Sequence, residues 1–409
     1  MKLKSSKFGF LLDRRSYDAL RRALVGWLLG RVYRDIEATF RRNGELFGAR
    51  IHRILVCRPN HRLGNTLLLT PLIVELGRTF HDAKVDVVVG GCAGPEVFRD
   101  FQNIADVVCL PRHMAKHPIY VVRALLKLRR NRYDLAIDPC EASQSARLLL
   151  AAAKATHAIG ISTSESCRDG RLAPIHVAQL PVFLLRDALS RSGHKGNNEY
   201  PGLTLSLSVA ERGAARARLY AIIDGRGPTH SPLTIGIFAS ATGSKRHDSA
   251  WWSQFLAEIR SQRSDYAFVE VASERGHAHL RGELPSFSST SIREVAAFIS
   301  NMTCFISADC GVMHLAVASG APTIGLFLAS DPKRYAPYGQ HNHGILSIGK
   351  TPQEVAQVVI STIEGKILGR RSHAGLDADL FDDKAQSTSS RDTMTDISAY
   401  AGCVAASTP

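Results

Sequence analysis

The sequence predicts an α/β protein made of two doubly wound halves. Short runs rich in Val and Ile alternate with longer segments of helical periodicity, the pattern of a parallel sheet covered on both faces. That alternation runs from Ile51, breaks at the turn-rich stretch DGRGPTHSP (224–232), and restarts at Thr234. The chain has 409 residues, enough for two domains of ordinary size.

In the first half, IHRILVC (51–57), KVDVVVG (84–90), ADVVCL (105–110), YDLAIDP (133–139) and THAIGI (156–161) read as strands. TLLLTPLIVELGRTF (66–80), a short segment near Pro95–Phe98, IYVVRALLKLRR (119–130), SQSARLLLAAAKA (143–155) and PVFLLRDALSRSG (181–193) read as helices. Pro71 marks a kink or sits in the first turn of a restarted helix, where its missing N–H is tolerated. In the second half TIGIFAS (234–240), YAFVEVAS (266–273), CFISAD (304–309) and PTIGLF (322–327) are the strands. SAWWSQFLAEIRSQR (249–263), SIREVAAFISNM (291–302), GVMHLAVASG (311–320) and TPQEVAQVVISTIEG (351–365) are the helices. The expected organisation is a basic arm (1–49), a first domain (50–205), a linker region (206–232), a second domain (233–368) and a Ser/Thr/Asp-rich disordered tail (369–409).

The net charge is +14, and residues 1–50 hold 12 Lys/Arg against 5 Asp/Glu, half of the excess. A basic surplus concentrated in an arm, with no aromatic stacking platform, argues against nucleic acid as the partner. Within the arm Leu20, Leu24, Leu28, Val32, Ile36 and Phe40 recur every four residues among arginines. This amphipathic helix over residues 16–42 either lies on an anionic membrane surface or packs on the main body with its arginines in water. No run of about 18 uncharged apolar residues exists, so no membrane span is expected. The N-terminus also lacks the pattern of a signal peptide. The eight cysteines form no CxxC pair and no Cys/His cluster, so no metal site is expected. Cys57, Cys109, Cys140 and Cys304, in or beside apolar strand-like runs, fit buried free thiols in a reducing compartment.

Three places in the second half carry chemistry. In ADCGVMH, Asp309 ends a strand, Gly311 lets a phosphate approach the backbone, and the next helix offers free N–H donors, with His314 in its first turn. In FASATGSKRHDSAWW, Ser240 and Thr242 can donate to phosphate oxygens and Lys245 supplies a cation, while Asp248 or Ser249 caps the following helix. Glu274 follows a strand, where a carboxylate can accept a ribose hydroxyl or merely face solvent.

ADCGVMHLAVASGAPTIGLF resembles the signature of the family-9 glycosyltransferases, the lipopolysaccharide heptosyltransferase group. The resemblance takes in the Lys245 loop, SIREVAAFI and ILVCRPNHRLGNTLLLTPLIVEL, and covers roughly residues 51–365. It implies a GT-B fold, two Rossmann-like domains with the donor nucleotide in the second and the acceptor across a cleft on the first. By that resemblance Asp309 contacts the donor sugar, the amides of Cys310 to Met313 cradle the diphosphate with His314 in support, Lys245 binds phosphate, and Glu274 lies near the ribose. It also implies an inverting, metal-independent transfer without a resident cofactor. The substrates would be a nucleotide-diphosphate sugar such as ADP-heptose and a lipid-linked saccharide, met at the cytoplasmic face of the inner membrane.

The first-half loop RPNHRLGNTLLLTP departs from the family, which ends it Gly-Asp with the Asp as proposed base. Here it ends Gly64-Asn65, and an amide takes no proton at neutral pH. Three readings stay open: His61 is the base, another carboxylate reaches in from the cleft, or the protein binds donor and acceptor without turnover. Arg58 and Arg62 suit an acceptor bearing phosphate or carboxylate groups.

Overall fold

The computed structural model describes residues 46, 50–112, 114–139, 144–161, 175–190, 199–223, 233–272, 279–280 and 282–368. The arm with its 16–42 segment, Glu274, residues 224–232 and the tail from 369 lie outside them. The chain divides into two compact units, Met1–Ser361 and Thr362–Pro409; both sheets fall in the first.

The first half alternates β1 (Arg53–Arg58), α1 (Leu63–Leu67), α2 (Thr70–Thr79), β2 (Lys84–Gly90), α3 (Ala93–Val97), β3 (Ile104–Leu110), α4 (Pro118–Arg130), β4 (Leu135–Asp138), α5 (Gln144–Ala153), β5 (His157–Gly160) and α6 (Leu180–Ser190). Its five strands are parallel in the order β3-β2-β1-β4-β5, with Val56 paired to Val87 on one side and to Ile137 on the other. Successive strand residues point to opposite faces, and the sequence fills both. Ile54 and Val56 join the core with Leu72, Ile73 and Leu76 of α2, whereas Leu55 and Cys57 face Ala124 and Leu128 of α4 and Leu149 of α5. One charge sits inside this sheet. Asp86 is fully buried on β2 and accepts bonds from Arg53 Nη2 (2.8 and 2.9 Å), Tyr133 Oη (2.7 Å) and Asn131 Nδ2 (2.9 Å), so its burial is compensated.

Pro71 stands in the first turn of a restarted helix. The preceding helix ends at Leu67, and the Thr70 hydroxyl donates to the Leu67 carbonyl at 2.8 Å. The region expected to link the halves contains a further helix, α7 (Val209–Ile223), which buries only Ala215 and Leu219 and so left a weak apolar stripe to read.

The second half alternates β6 (Leu233–Phe238), α8 (Ser249–Gln262), β7 (Tyr266–Val271), β8 (Ser286–Phe287), α9 (Ile292–Ile299), β9 (Cys304–Ala308), α10 (Gly311–Ser319), β10 (Thr323–Phe327), α11 (Pro332–Tyr335), β11 (His343–Leu346) and α12 (Pro352–Thr362). Its parallel order, β11-β10-β9-β6-β7-β8, repeats the first with one more strand. Asp248 caps α8 by accepting from Trp251 N at 2.8 Å, and Ser291 caps α9 by accepting from Glu294 N at 3.3 Å.

A buried arginine joins the halves. Arg293 of α9, 2% exposed, donates to both carboxylate oxygens of Glu211 (2.6 and 2.8 Å) and to the Leu205 carbonyl (3.1 Å), and pairs with Asp100 at 2.6 Å. Glu96 of α3 accepts from Ser291 Oγ at 2.7 Å and from Arg293 N at 3.2 Å. The Arg293 guanidinium holds the Glu211 carboxyl down to about 2, so the Arg293–Glu211 pair stays charged in mild acid. Among the described residues, no helix is long and apolar enough to cross a membrane.

Candidate functional site

In each sheet the strand order reverses at one point, between β1 and β4 and between β6 and β9. Ligands of open α/β sheets bind outside the carboxyl ends of the strands at such points. The loops leading out of β1, β6 and β9 meet there and enclose a cavity of about 900 Å³. From the first half it is lined by Arg62, Leu63, Gly64, Asn65 and Leu68. From the second half the wall includes Ser240 to Lys245, Asp309 to Val312, His314 and Tyr335. Most of the residues singled out in the sequence therefore share one cavity.

Two glycines set how closely the halves approach. A Cβ on Gly64 would lie 2.9 Å from His314 Cδ2 and 3.3 Å from Gly311 Cα, and one on Gly311 would lie 3.0 Å from Gly64 N. Gly311 is thus required by its contact with the first half, a reason the sequence did not reveal. Leu63 and Gly64 of α1 rest directly on the amino end of α10, the end that carries the free N–H donors.

The charged centre is a pair. Lys245 Nζ lies 2.8 Å from Asp309 Oδ2; the distance is that of an ion pair, although the angle falls outside hydrogen-bond geometry. Asp309 is 5% exposed, and among the described residues lining the cavity it is the one carboxylate. Beside it His314 is 6% exposed with Nδ1 buried and unpartnered. Burial above all, with Lys245 and Arg58 opposing the pull of Asp309, lowers its pKa to about 4, so the ring is neutral at pH 7. His176 stands behind it in a fixed form. Its Nδ1 accepts from Ala178 N (3.1 Å), which leaves Nε2–H to donate to the Ala336 carbonyl (2.9 Å).

The first-half loop has a different character. Arg58 is not on the cavity wall; its Nη2 donates to Asn65 Oδ1 at 3.0 Å, and its Nε is buried without a partner. A guanidinium only donates, so Asn65 must turn its oxygen to Arg58 and keep its NH₂ for other partners. His61 is exposed, lies outside the cavity lining and packs on Gly90, whose added Cβ would come within 2.9 Å of the ring. Met313 buries its side chain completely and is absent from the lining, leaving only its backbone amide for a ligand. The Cys310 thiol is pushed up by burial, which keeps it protonated.

The sequence reading passed over Ser289, Thr290, Val271 and Ala272, which line the same cavity beyond β7 and β8. It also missed Tyr335, whose ring centroid is 5.8 Å from Lys245 Nζ. β8 has two residues and α11 four, too short for any periodic signal; the Asp331-Pro332 start of α11 was the one available cue. Asp138, 7% exposed at the carboxyl end of β4, stands at the first sheet's reversal point but is not on the cavity wall.

The comparisons agree with this geometry. Among solved structures, a family-9 glycosyltransferase from Veillonella parvula DSM 2008 superposes with a TM-score of 0.59 at 18% identity, over 78% of this chain and 99% of that one. The E. coli heptosyltransferase WaaC, solved with ADP, gives 0.58 at 17% identity, over 77% and 99%. E. coli ADP-heptose lps heptosyltransferase II gives 0.53 at 18% identity, over 76% and 98%. These likenesses establish the GT-B fold. No curated protein matches the chain. The profile of "Glycosyltransferase family 9 (heptosyltransferase)" matches residues 121–364, more than half of the sequence, and the chain belongs to that family.

Proposed function

We propose that the protein transfers a sugar, heptose by family, from a nucleotide-diphosphate donor such as ADP-heptose to a saccharide of lipopolysaccharide core or a related envelope glycan. The observation that carries this reading is the single cavity uniting the Lys245–Asp309 pair, the amino end of α10 and neutral His314 with Arg62 and Asn65. In this reading the leaving diphosphate lies at the α10 amides of Cys310 to Met313 and against Lys245, with Ser240 and Thr242 as further donors. Asp309 accepts bonds from donor-sugar hydroxyls, and His314 supports the phosphates through Nδ1. No cofactor is needed, and the charge on the leaving group is met by these groups rather than by a metal.

The acceptor enters from the side of Arg62, Gly64 and Asn65. Its hydroxyl oxygen attacks the anomeric carbon from the face opposite the diphosphate, inverting the centre as the bond to the phosphate oxygen breaks. The hydroxyl proton must go to another group. Asn65 presents its amide oxygen to Arg58, and His61 lies off the cavity, so the proton acceptors on the wall are Asp309 and neutral His314. General-base catalysis is worth about 10²–10⁴-fold, so this assignment decides the rate.

The Arg58–Asn65 bond equally favours a second reading, a sugar-nucleotide and glycan binding protein without turnover. ADP release from ADP-heptose, measured with and without an envelope acceptor, separates the two. Transfer by the parent protein supports the enzyme. Donor binding with no release, converted to turnover by Asn65→Asp, supports the binding protein, and absence of any nucleotide-sugar binding overturns both. The expected peripheral membrane contact of the 16–42 segment is part of the enzyme reading, as the acceptor is lipid-linked.

A further inference from the structure

Eight large apolar side chains among the described residues are exposed, and four of them, Ile119, Tyr120, Val122 and Leu126, belong to α4. Scattered apolar residues need no explanation, but a cluster on one short helix does. The helix buries Ala124 and Leu128 against the first sheet. At 100° per residue, Ile119, Val122 and Leu126 then form a ridge on the opposite, outward side, where they are 70%, 52% and 49% exposed.

Charge on this face has one sign. Arg123, Arg129 and Arg130 are exposed and flank the ridge, with Arg112 and Lys116 exposed just before the helix. PIYVVRALLKLRR contains no acidic residue, and Lys127 turns aside to Asp106 at 2.5 Å. A two-fold pairing of such faces would oppose arginine to arginine, which disfavours a second copy of the chain as the cover. An anionic lipid surface satisfies both features: apolar side chains enter the boundary between headgroups and acyl chains, and arginines remain at the phosphates.

The location fits as well. β3 is parallel to β1, so the turn from β3 into α4 lies at the same end of the sheet as the Arg58–Asn65 loop. Tyr120 Oη donates to the Cys109 carbonyl at 2.7 Å and ties the first turn of α4 to that end. We infer that the outer face of α4 docks on an anionic bilayer, Ile119, Val122 and Leu126 inserting and Arg123, Arg129 and Arg130 binding lipid phosphates. This site lies outside the 16–42 segment in sequence. It borrows its purpose, not its evidence, from the lipid-linked acceptor of the proposed reaction.

The test is sedimentation of the full chain with phosphatidylcholine vesicles, with and without phosphatidylglycerol. Binding is expected with the anionic vesicles and is expected to weaken with salt. The double variant Arg123→Gln/Arg130→Gln is expected to bind about five-fold more weakly for each arginine removed. Ile119→Ser/Leu126→Ser should weaken binding about tenfold or more, with thermal unfolding unchanged because both positions are exposed. Equal vesicle binding by parent and variants overturns the proposal and leaves any binding to other parts of the chain. Light scattering that shows a parent dimer dissociated by Ile119→Ser/Leu126→Ser also overturns it, in favour of a second copy. Neither readout involves sugar transfer, so ADP-heptose turnover without vesicle binding would sink the docking face and leave the enzymatic reading standing.

Discussion

The two loops that face each other across the cavity differ in how they hold charge. In the second half Lys245 and Asp309 form an ion pair, with His314 beside them neutral and almost fully buried. In the first half the corresponding turn ends in an amide, Asn65, with Arg58 set back off the cavity wall and Arg62 as the loop's one charge on it. The second-half wall thus carries an ion pair, whereas the described first-half wall offers hydrogen-bond donors and no carboxylate or imidazole of its own. The family match, residues 121–364, takes in the later part of the first half and the whole second half, and the Asn65 turn falls before it.

The largest expected effect tests the donor side. On the proposed reading Lys245→Ala removes the cation for the leaving diphosphate, and it leaves Asp309 buried without its counter-charge. ADP release should fall about 10²–10³-fold; a loss under tenfold would place the leaving-group charge elsewhere and end the contrast between the loops.

The next concerns protonation. With a folded pKa of about 4, His314 is below its unfolded value near 6.5. Stability from this group is therefore complete above the unfolded value and is lost as pH falls from there towards 4, by about 3 kcal/mol. His176 and His247 are lowered by burial too and act with the same sign. Glu211 keeps its charge down to about 2, so its pair with Arg293 outlasts this transition. Urea unfolding followed across this range should show the decline, and His314→Gln should flatten it. An unchanged slope in the variant would mean that the ring is not buried as described.

The third effect is steric. Gly64→Ala places a methyl 2.9 Å from His314 Cδ2. Melting should show a loss of about 1–3 kcal/mol from overpacking, together with weaker ADP binding, although position 64 belongs to the other half. The smallest effect is expected at His61. It is exposed and outside the cavity, so His61→Ala should alter stability by less than about 0.5 kcal/mol and leave ADP release nearly intact. Abolished turnover with normal donor binding would instead make His61 the missing base and restore full chemistry to the first loop.

Much of this was legible from residues alone, for reasons that can be named. The strands announced themselves because both faces of each sheet are covered, so KVDVVVG and CFISA are nearly continuous apolar runs. The Asp309 turn was legible because strand, carboxylate, glycine and helix start follow one another without a gap. What failed to show depends on contacts between distant segments. Gly311 is small because of Gly64, and Arg293 is buried because Glu211, Asp100 and Glu96 converge on it. The bond from Arg58 to Asn65 spans only seven positions, yet its direction depends on a strand end and a helix start turning towards each other. The outer ridge of α4 escaped because a helix with apolar residues on two sides reads, in sequence, as one buried on both.

The Lys245–Asp309 pair has a consequence for selectivity. A bare anion that captures Lys245 strips a buried carboxylate of its partner, at about 1–3 kcal/mol or more for a charged group. Compounds bearing only hydroxyls can engage Asp309 but leave Lys245, whose side chain is 32% exposed, without a new anionic partner. A molecule that brings a phosphate and a sugar together, spaced to fit, occupies both groups at once and avoids either loss. On the proposed reading the pair therefore acts as a coincidence detector, favouring a phosphate and a sugar joined over either one alone.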